Sequence, residues 1–139
     1  MKAISLWQPW ASLIADRRKR IETRHWPIPE SMLGQPIAIH AAKKIDRDAC
    51  NEFGYSYFLI PRGCIVCVAT VYRCTKFTEE NVKELFARLP EHRQEERQYG
   101  DFAPGRYGWF IGDVRKCVLV NAVGRQRFFS VDVPIVFPQ

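Results

Sequence analysis

Residues 64–72 read Cys-Ile-Val-Cys-Val-Ala-Thr-Val-Tyr, β-branched or apolar at almost every position. A run with no polar face is a strand buried on both sides, and it predicts a strand over 64–73 at the heart of a sheet. Cys64 and Cys67 within it form a C-x-x-C. Residues three apart on a strand point to opposite sides, so these thiols do not converge on one ion, and Cys50, Cys74 and Cys117 show no ligand spacing. Neither a metal nor a cofactor is expected. The five cysteines are an odd number without a secretory leader, which speaks against a disulfide framework. They read as small apolar groups filling core space.

The segments around that strand are short. Residues 3–7 are predicted to be extended, and Pro9 suits the first turn of a helix over 9–18, with Trp10, Leu13 and Ile14 on its buried face. Residues 21–26 read as extended, followed by a loop through Pro27, Pro29 and Gly34 and a strand at 36–41. Asp46 is placed to cap a helix over 47–56. Thr78 is placed to cap another, whose Val82, Leu85, Phe86 and Leu89 recur at helical spacing until Pro90 ends it. Residues 91–105 are highly polar and read as a mobile excursion, either a solvated charge run or a lid. Strands are predicted at 107–112, 117–123 and 128–133. Several strands with short helices and no regular β-α-β rhythm predict one α+β domain over 1–139, a small barrel or curled sheet.

At 139 residues, 47% hydrophobic and 26% charged, the chain has the profile of a globular domain. No apolar run reaches the roughly 18 residues a membrane span needs, and the N-terminal segment, broken by Gln8 and Pro9 and running into charge, is no signal peptide. The expectation is a cytoplasmic protein with no membrane partner; the sequence leaves its oligomeric state open. The formal charge of +6 favours a polyanion, because each phosphate neutralised releases counterions.

One stretch carries chemistry: Lys19-Arg-Ile-Glu22-Thr-Arg24-His-Trp26. On a strand, Glu22 and Arg24 share a face, and Lys19 reaches that side through a turn after the preceding helix. An ammonium, a carboxylate and a guanidinium would then stand together as proton donor, base and anchor. Spacing alone also fits a solvated basic helix end with one surface ion pair of at most about 1 kcal/mol.

The segment Arg17-Arg-Lys19-Arg-Ile-Glu22-Thr-Arg24 resembles the G-x-K-x-x-E-x-R motif of the activating signal cointegrator homology (ASCH) domain family, part of the PUA-like superfamily. It departs at the glycine position, held here by Arg17. Gln8-Pro9-Trp10-Ala11, Ile39-His40-Ala41-Ala42-Lys43, Gly105-Arg-Tyr107-Gly-Trp109 and Gly124-Arg-Gln126-Arg-Phe128 resemble further blocks of that family. The resemblance implies a small PUA-like β-barrel with flanking short helices, the motif lining a cleft. It also implies one of two activities: amidohydrolysis of N4-acylated cytosine nucleosides such as N4-acetylcytidine, or binding of RNA or a coregulator partner without catalysis. Some of the small amidohydrolases carry Thr where this chain has Glu22, so a threonine-nucleophile mechanism does not transfer. Lys19, Glu22 and Arg24 are the implied catalytic residues, in a metal-free reaction on a modified cytosine nucleoside or RNA.

Around them, Trp7, Trp10, Trp26, Tyr107 and Trp109 can stack a base, an interaction worth roughly 1–3 kcal/mol, or serve as core, with Trp26 beside two prolines the better pocket wall. His40 reads as an acid/base or as hydrogen-bonded packing, and Lys43 as a phosphate ligand or a solvent-exposed cation. Gln8 suits a base edge or the cap of the following helix.

Overall fold

The computed structural model describes residues 1–139. In chain order come β1 (Lys2–Gln8), α1 (Trp10–Ala15), β2 (Ile21–Arg24), β3 (Pro36–Ile45), α2 (Arg47–Phe53), β4 (Cys64–Lys76), α3 (Glu79–Arg88), β5 (Tyr107–Asn121) and β6 (Phe128–Ser130). Short 3-10 helices occupy Glu30–Met32 and Glu91–Tyr99. The strands hydrogen-bond in the order β2-β5-β4-β3-β1-β6. The expected barrel is corrected: the sheet is open. Its end strands are too short to pair into a closed ring, β2 having four residues before Pro27 and Pro29, and β6 three. No helix is long and apolar enough to cross a membrane.

The chain divides into two compact units, Met1–Arg18 with Pro36–Ala69 and Asp113–Gln139, and Lys19–Gln35 with Thr70–Gly112. In the first, β1 runs parallel to β3 with Ala3 opposite Ala38, and antiparallel to β6 with Ala3 opposite Phe129. The two alanines leave room for Phe129, which with Ile65 and Cys117 closes a buried cluster. Burial pushes the Cys67 thiol up to about 12, the neighbouring Cys117 adding to the effect, consistent with an apolar role for these thiols. In the second unit, β2 pairs antiparallel with β5, Ile21 opposite Phe110, and both pack on Phe77. Val82 and Leu85 of α3 close over this cluster. Thr78 caps α3 reciprocally with Asn81, and Asp46 caps α2 by accepting from Ala49 N–H at 3.0 Å, as their side chains suggested.

Several boundaries move. The helix expected over 9–18 is only Trp10–Ala15, and the helix expected over 47–56 stops at Phe53 because Gly54 takes a φ of 85°. The strands expected at 107–112 and 117–123 are one strand. Asp113, within that strand, takes a φ of 50°. The excursion expected at 91–105 instead forms the 3-10 helix Glu91–Tyr99, with Glu96 and Tyr99 buried.

Arg17 explains the motif's glycine. It follows α1 with a φ of 61°, left-handed backbone that disfavours side chains bearing a Cβ. Its guanidinium donates to Val114 O at 2.7 Å. Arg17→Val is expected to destabilise the chain by about 1–2 kcal/mol. Arg17→Gly should stay within about 0.5 kcal/mol of the parent, since relief of strain offsets the lost hydrogen bond. Urea denaturation of the two variants checks this.

Candidate active site

The turn that Arg17 opens delivers Lys19 into the second unit. Its side chain is only 1% exposed. The ammonium donates to Ile21 O and to Tyr99 O, both at 2.6 Å, and stands 3.3 Å from Glu22 Oε1. Three N–H groups thus meet three acceptors. The second Glu22 oxygen accepts from Arg24 Nε at 2.9 Å. Glu22 and Arg24 are two apart on β2 and keep partial access to solvent, at 13% and 23%. The three residues that the motif singles out therefore form one continuous line of charge: ammonium, carboxylate, guanidinium.

The β2–β5 register sets the wall. Glu22 lies opposite Trp109 and Arg24 opposite Tyr107, while Thr23 lies opposite Gly108. Directly opposed residues of an antiparallel pair share a face, so Glu22, Arg24, Tyr107 and Trp109 stand together and Thr23 faces away. The Thr23 hydroxyl accepts from Asp101 N–H at 2.9 Å. Trp109 is buried, its ring edge-on to Trp26 with centroids 4.9 Å apart and its Nε1 donating to Trp26 O at 3.3 Å. The Arg24 guanidinium lies 5.9 Å from the Trp109 ring centroid. Trp26 and Tyr107 are only half-buried, so they are the aromatic surfaces of this face that a ligand can reach.

A fourth residue was not visible in the sequence. Glu96, on the 3-10 helix, is buried and accepts from the backbone N–H of Arg20 at 2.8 Å and of Ile21 at 3.2 Å. Arg93 pairs with it at 3.4 Å. Burial raises the Glu96 carboxyl above its ordinary value, although the Arg20 N–H, the Lys19 charge, the Ile21 N–H and Arg93 all work the other way. Glu96 thus holds the turn between Lys19 and Glu22, and the same helix ends on Tyr99, whose carbonyl fixes Lys19. The only sequence signal was the Arg93/Glu96 spacing of three, lost among the other polar and charged residues of a segment that reads as solvated.

The remaining candidates belong to the first unit. Gln8 is fully buried: its Oε1 accepts from Ser12 N–H at 2.9 Å, and its Nε2 donates to Ser12 Oγ and Pro61 O, both at 2.8 Å. Of its two readings, the structure shows the helix cap. Trp10 packs edge-on against Phe53 at 5.9 Å. His40 is buried, with Nε2 at 2.7 Å from Ala122 O and Nδ1 at 2.9 Å from Ser5 Oγ. A carbonyl only accepts, so Nε2 carries a proton there, and both ring nitrogens are engaged in packing. Gly124 permits this, since a Cβ there would lie 2.7 Å from the ring. Lys43 is exposed. The Lys-Glu-Arg line and its aromatic face thus lie within one unit, and Gln8, Trp10, His40 and Lys43 within the other.

The first unit has its own cavity of about 350 Å³, bordered by Ala15, Asp16, Tyr55, Leu59, Val66 and Lys116 among others. At its rim Asp16 accepts from Tyr55 OH at 2.6 Å and pairs with Lys116 at 2.5 Å. Burial works to raise the Asp16 carboxyl, but the hydrogen bonds from Lys116 and Tyr55 and the charges of Lys116 and Arg18 outweigh it and hold it below its ordinary value. A depressed folded-state value means that Asp16 contributes stability above the ordinary carboxylate range, lost as pH falls through the folded value. Acid denaturation of Asp16→Asn is therefore expected to lack part of the parent's loss of stability below about pH 4, while the two curves run parallel near neutrality.

An open mixed sheet with a Lys-x-x-Glu-x-Arg segment running from a strained turn onto its end strand describes the class of protein. The sequence profile of the ASCH domain matches residues 4–119, and the chain belongs to the ASCH domain family. Similar solved structures include ASCH from Zymomonas mobilis, with a TM-score of 0.56 at 20% identity over 86% of this chain and 72% of that one. A serine-to-alanine variant of the same protein gives a TM-score of 0.55 with the same identity and coverage. A tyrosine-to-phenylalanine variant gives 0.53 at 21% identity over 86% and 74%. At these identities the likeness is one of fold. No curated protein sequence matches the chain.

Proposed function

We propose that the Lys19–Glu22–Arg24 line is the active site of an amidohydrolase that removes the acyl group from N4-acylated cytosine nucleosides. The observation that carries this reading is the placement of Glu22: a partly solvent-accessible carboxylate held from both sides, 3.3 Å from Lys19 Nζ and 2.9 Å from Arg24 Nε, beside accessible aromatic surface. Fixed so, Glu22 can take a proton from a water attacking the acyl carbon. Two of the three Lys19 protons are bound to the Ile21 and Tyr99 carbonyls, and the third points at Glu22. As Glu22 takes up the proton its hold on that N–H weakens, and the N–H turns to the oxyanion that has just formed. Collapse of the tetrahedral intermediate breaks the C–N bond, and the proton passes from Glu22 to the departing N4. The products are the carboxylic acid and the unmodified cytosine nucleoside. Arg24 keeps Glu22 in place, and Trp26 and Tyr107 offer the base a surface.

The full engagement of Lys19 favours a second reading, in which the same face binds a nucleobase or RNA without chemistry. Incubation with N4-acetyl- and longer N4-acylcytidines, followed by ultraviolet absorbance, separates the two. Hydrolysis gives stoichiometric cytidine. The binding module gives none, and shows instead RNA affinity that falls steeply with salt.

A further inference from the structure

An exposed apolar surface that the proposed reaction does not use lies in the first unit, where the C-terminal ends of β1 and β3 meet α2 and the loop before β4. Phe58 and Leu59, adjacent in that loop, are 76% and 84% exposed. Arg47 and Arg62 lie beside this loop, and Lys43 and Lys44 stand at the end of β3. The Arg47 guanidinium sits 5.4 Å from the Phe58 ring centroid and 4.7 Å from that of Tyr57. Arg62 lies 5.1 Å from the Tyr57 ring centroid and donates to the Tyr57 carbonyl. The Lys43 stem runs beside Gly63, and Lys44 lies 5.1 Å from the ring of Trp7, itself 52% exposed. Hydrogen bonds join the pieces: Asp46 N–H donates to Gln8 O and Gln8 Nε2 to Pro61 O, both at 2.8 Å. None of the four cations is paired with a carboxylate. The carboxylate of Asp46 is committed to capping α2, leaving Asp48 and Glu52 as the exposed acids of that helix.

We propose that this surface docks on an anionic phospholipid bilayer, Phe58 and Leu59 entering the headgroup–acyl boundary while Lys43, Lys44, Arg47 and Arg62 face the lipid phosphates and carboxylates. An exposed apolar tip beside Arg47 and Arg62, neither of them paired with a carboxylate, is the pattern interfacial binding requires: apolar burial plus attraction to anionic headgroups. Two other occupants fit less well. A second copy of the chain across a two-fold axis would set four cations against four. Base stacking by a nucleic acid needs open ring faces, whereas cations already lie against Trp7, Tyr57 and Phe58, and Leu59 has no ring. The sequence argued against a membrane partner because no segment spans; docking at the surface needs no span. The inference is independent of the proposed reaction, which uses residues of the other unit.

Flotation of the whole chain with phosphatidylcholine vesicles, with and without roughly one-third phosphatidylserine, tests it. Binding is expected only to the anionic vesicles, falling as salt is raised. Phe58→Ser/Leu59→Ser should weaken it about tenfold or more, and Lys44→Gln/Arg47→Gln by a comparable factor, with thermal melts unchanged for the exposed Phe58 and Leu59 pair. Three results would overturn the proposal: no binding to anionic vesicles; binding indifferent to the Phe58/Leu59 change, which is electrostatic adhesion alone; or vesicles displaced by a single-stranded RNA whose own affinity depends on Phe58, which makes the surface a nucleic-acid site.

Discussion

Lys19→Met is expected to lower the stability of the chain by about 3–5 kcal/mol, the cost of removing one partner from a buried charge cluster. The substitution keeps most of the side-chain volume, so the loss is electrostatic and polar rather than a cavity. It leaves the Ile21 and Tyr99 carbonyls without the 2.6 Å donor each now has, and Glu22 without its 3.3 Å cation. It also removes a charge that holds down the Glu96 carboxyl, whose burial already raises it. For a chain of this size the melting temperature should fall by roughly 10–20 °C. Glu96→Ala should cost about 2–4 kcal/mol by orphaning the Arg20 and Ile21 N–H groups. The double variant should lose less than the sum, because both residues fix the same turn. A Lys19→Met variant as stable as the parent would mean that the ammonium is dispensable to the turn. Calorimetry on the three variants decides it.

How far this arrangement could be read from the sequence differs residue by residue. Glu22 and Arg24 were legible as neighbours because strand periodicity is strict, and Lys19 because a helix end just before it had to turn. Asp46 and Thr78 declared their helices through side chains that bond their own first turns. Glu96 was hidden because its acceptors' donors, the N–H groups of Arg20 and Ile21, lie some 75 residues away in sequence, while every local cue marks its segment as solvated. Gln8 was ambiguous because an amide serves a base edge and a helix N–H equally well; only the placement of Ser12 and Pro61 decides. Within β5, Asp113 adopts a left-handed φ of 50°, a conformation that aspartate tolerates but does not announce. The strand pattern fitted a barrel or a curled sheet and the family resemblance implied the barrel, whereas closure depends on the length of the end strands.

Glu22→Gln should reduce turnover of an N4-acylcytidine by roughly 10²–10⁴-fold, the range for loss of a general base. The amide is isosteric and can still accept from Arg24 Nε, so the β2–β5 face and its aromatic surface remain. The effect should therefore fall on kcat far more than on KM. Truncating Trp26 should do the reverse, raising KM with little change in kcat, because it offers binding surface and no proton. The single most direct measurement is the rate of cytidine formation from N4-acetylcytidine by the parent chain beside Glu22→Gln, with both proteins shown to be folded. Sustained turnover by the parent and its collapse in the variant is the predicted result. Turnover that survives Glu22→Gln, or a folded parent that leaves every acyl substrate intact, would contradict the assignment of Glu22 as the base.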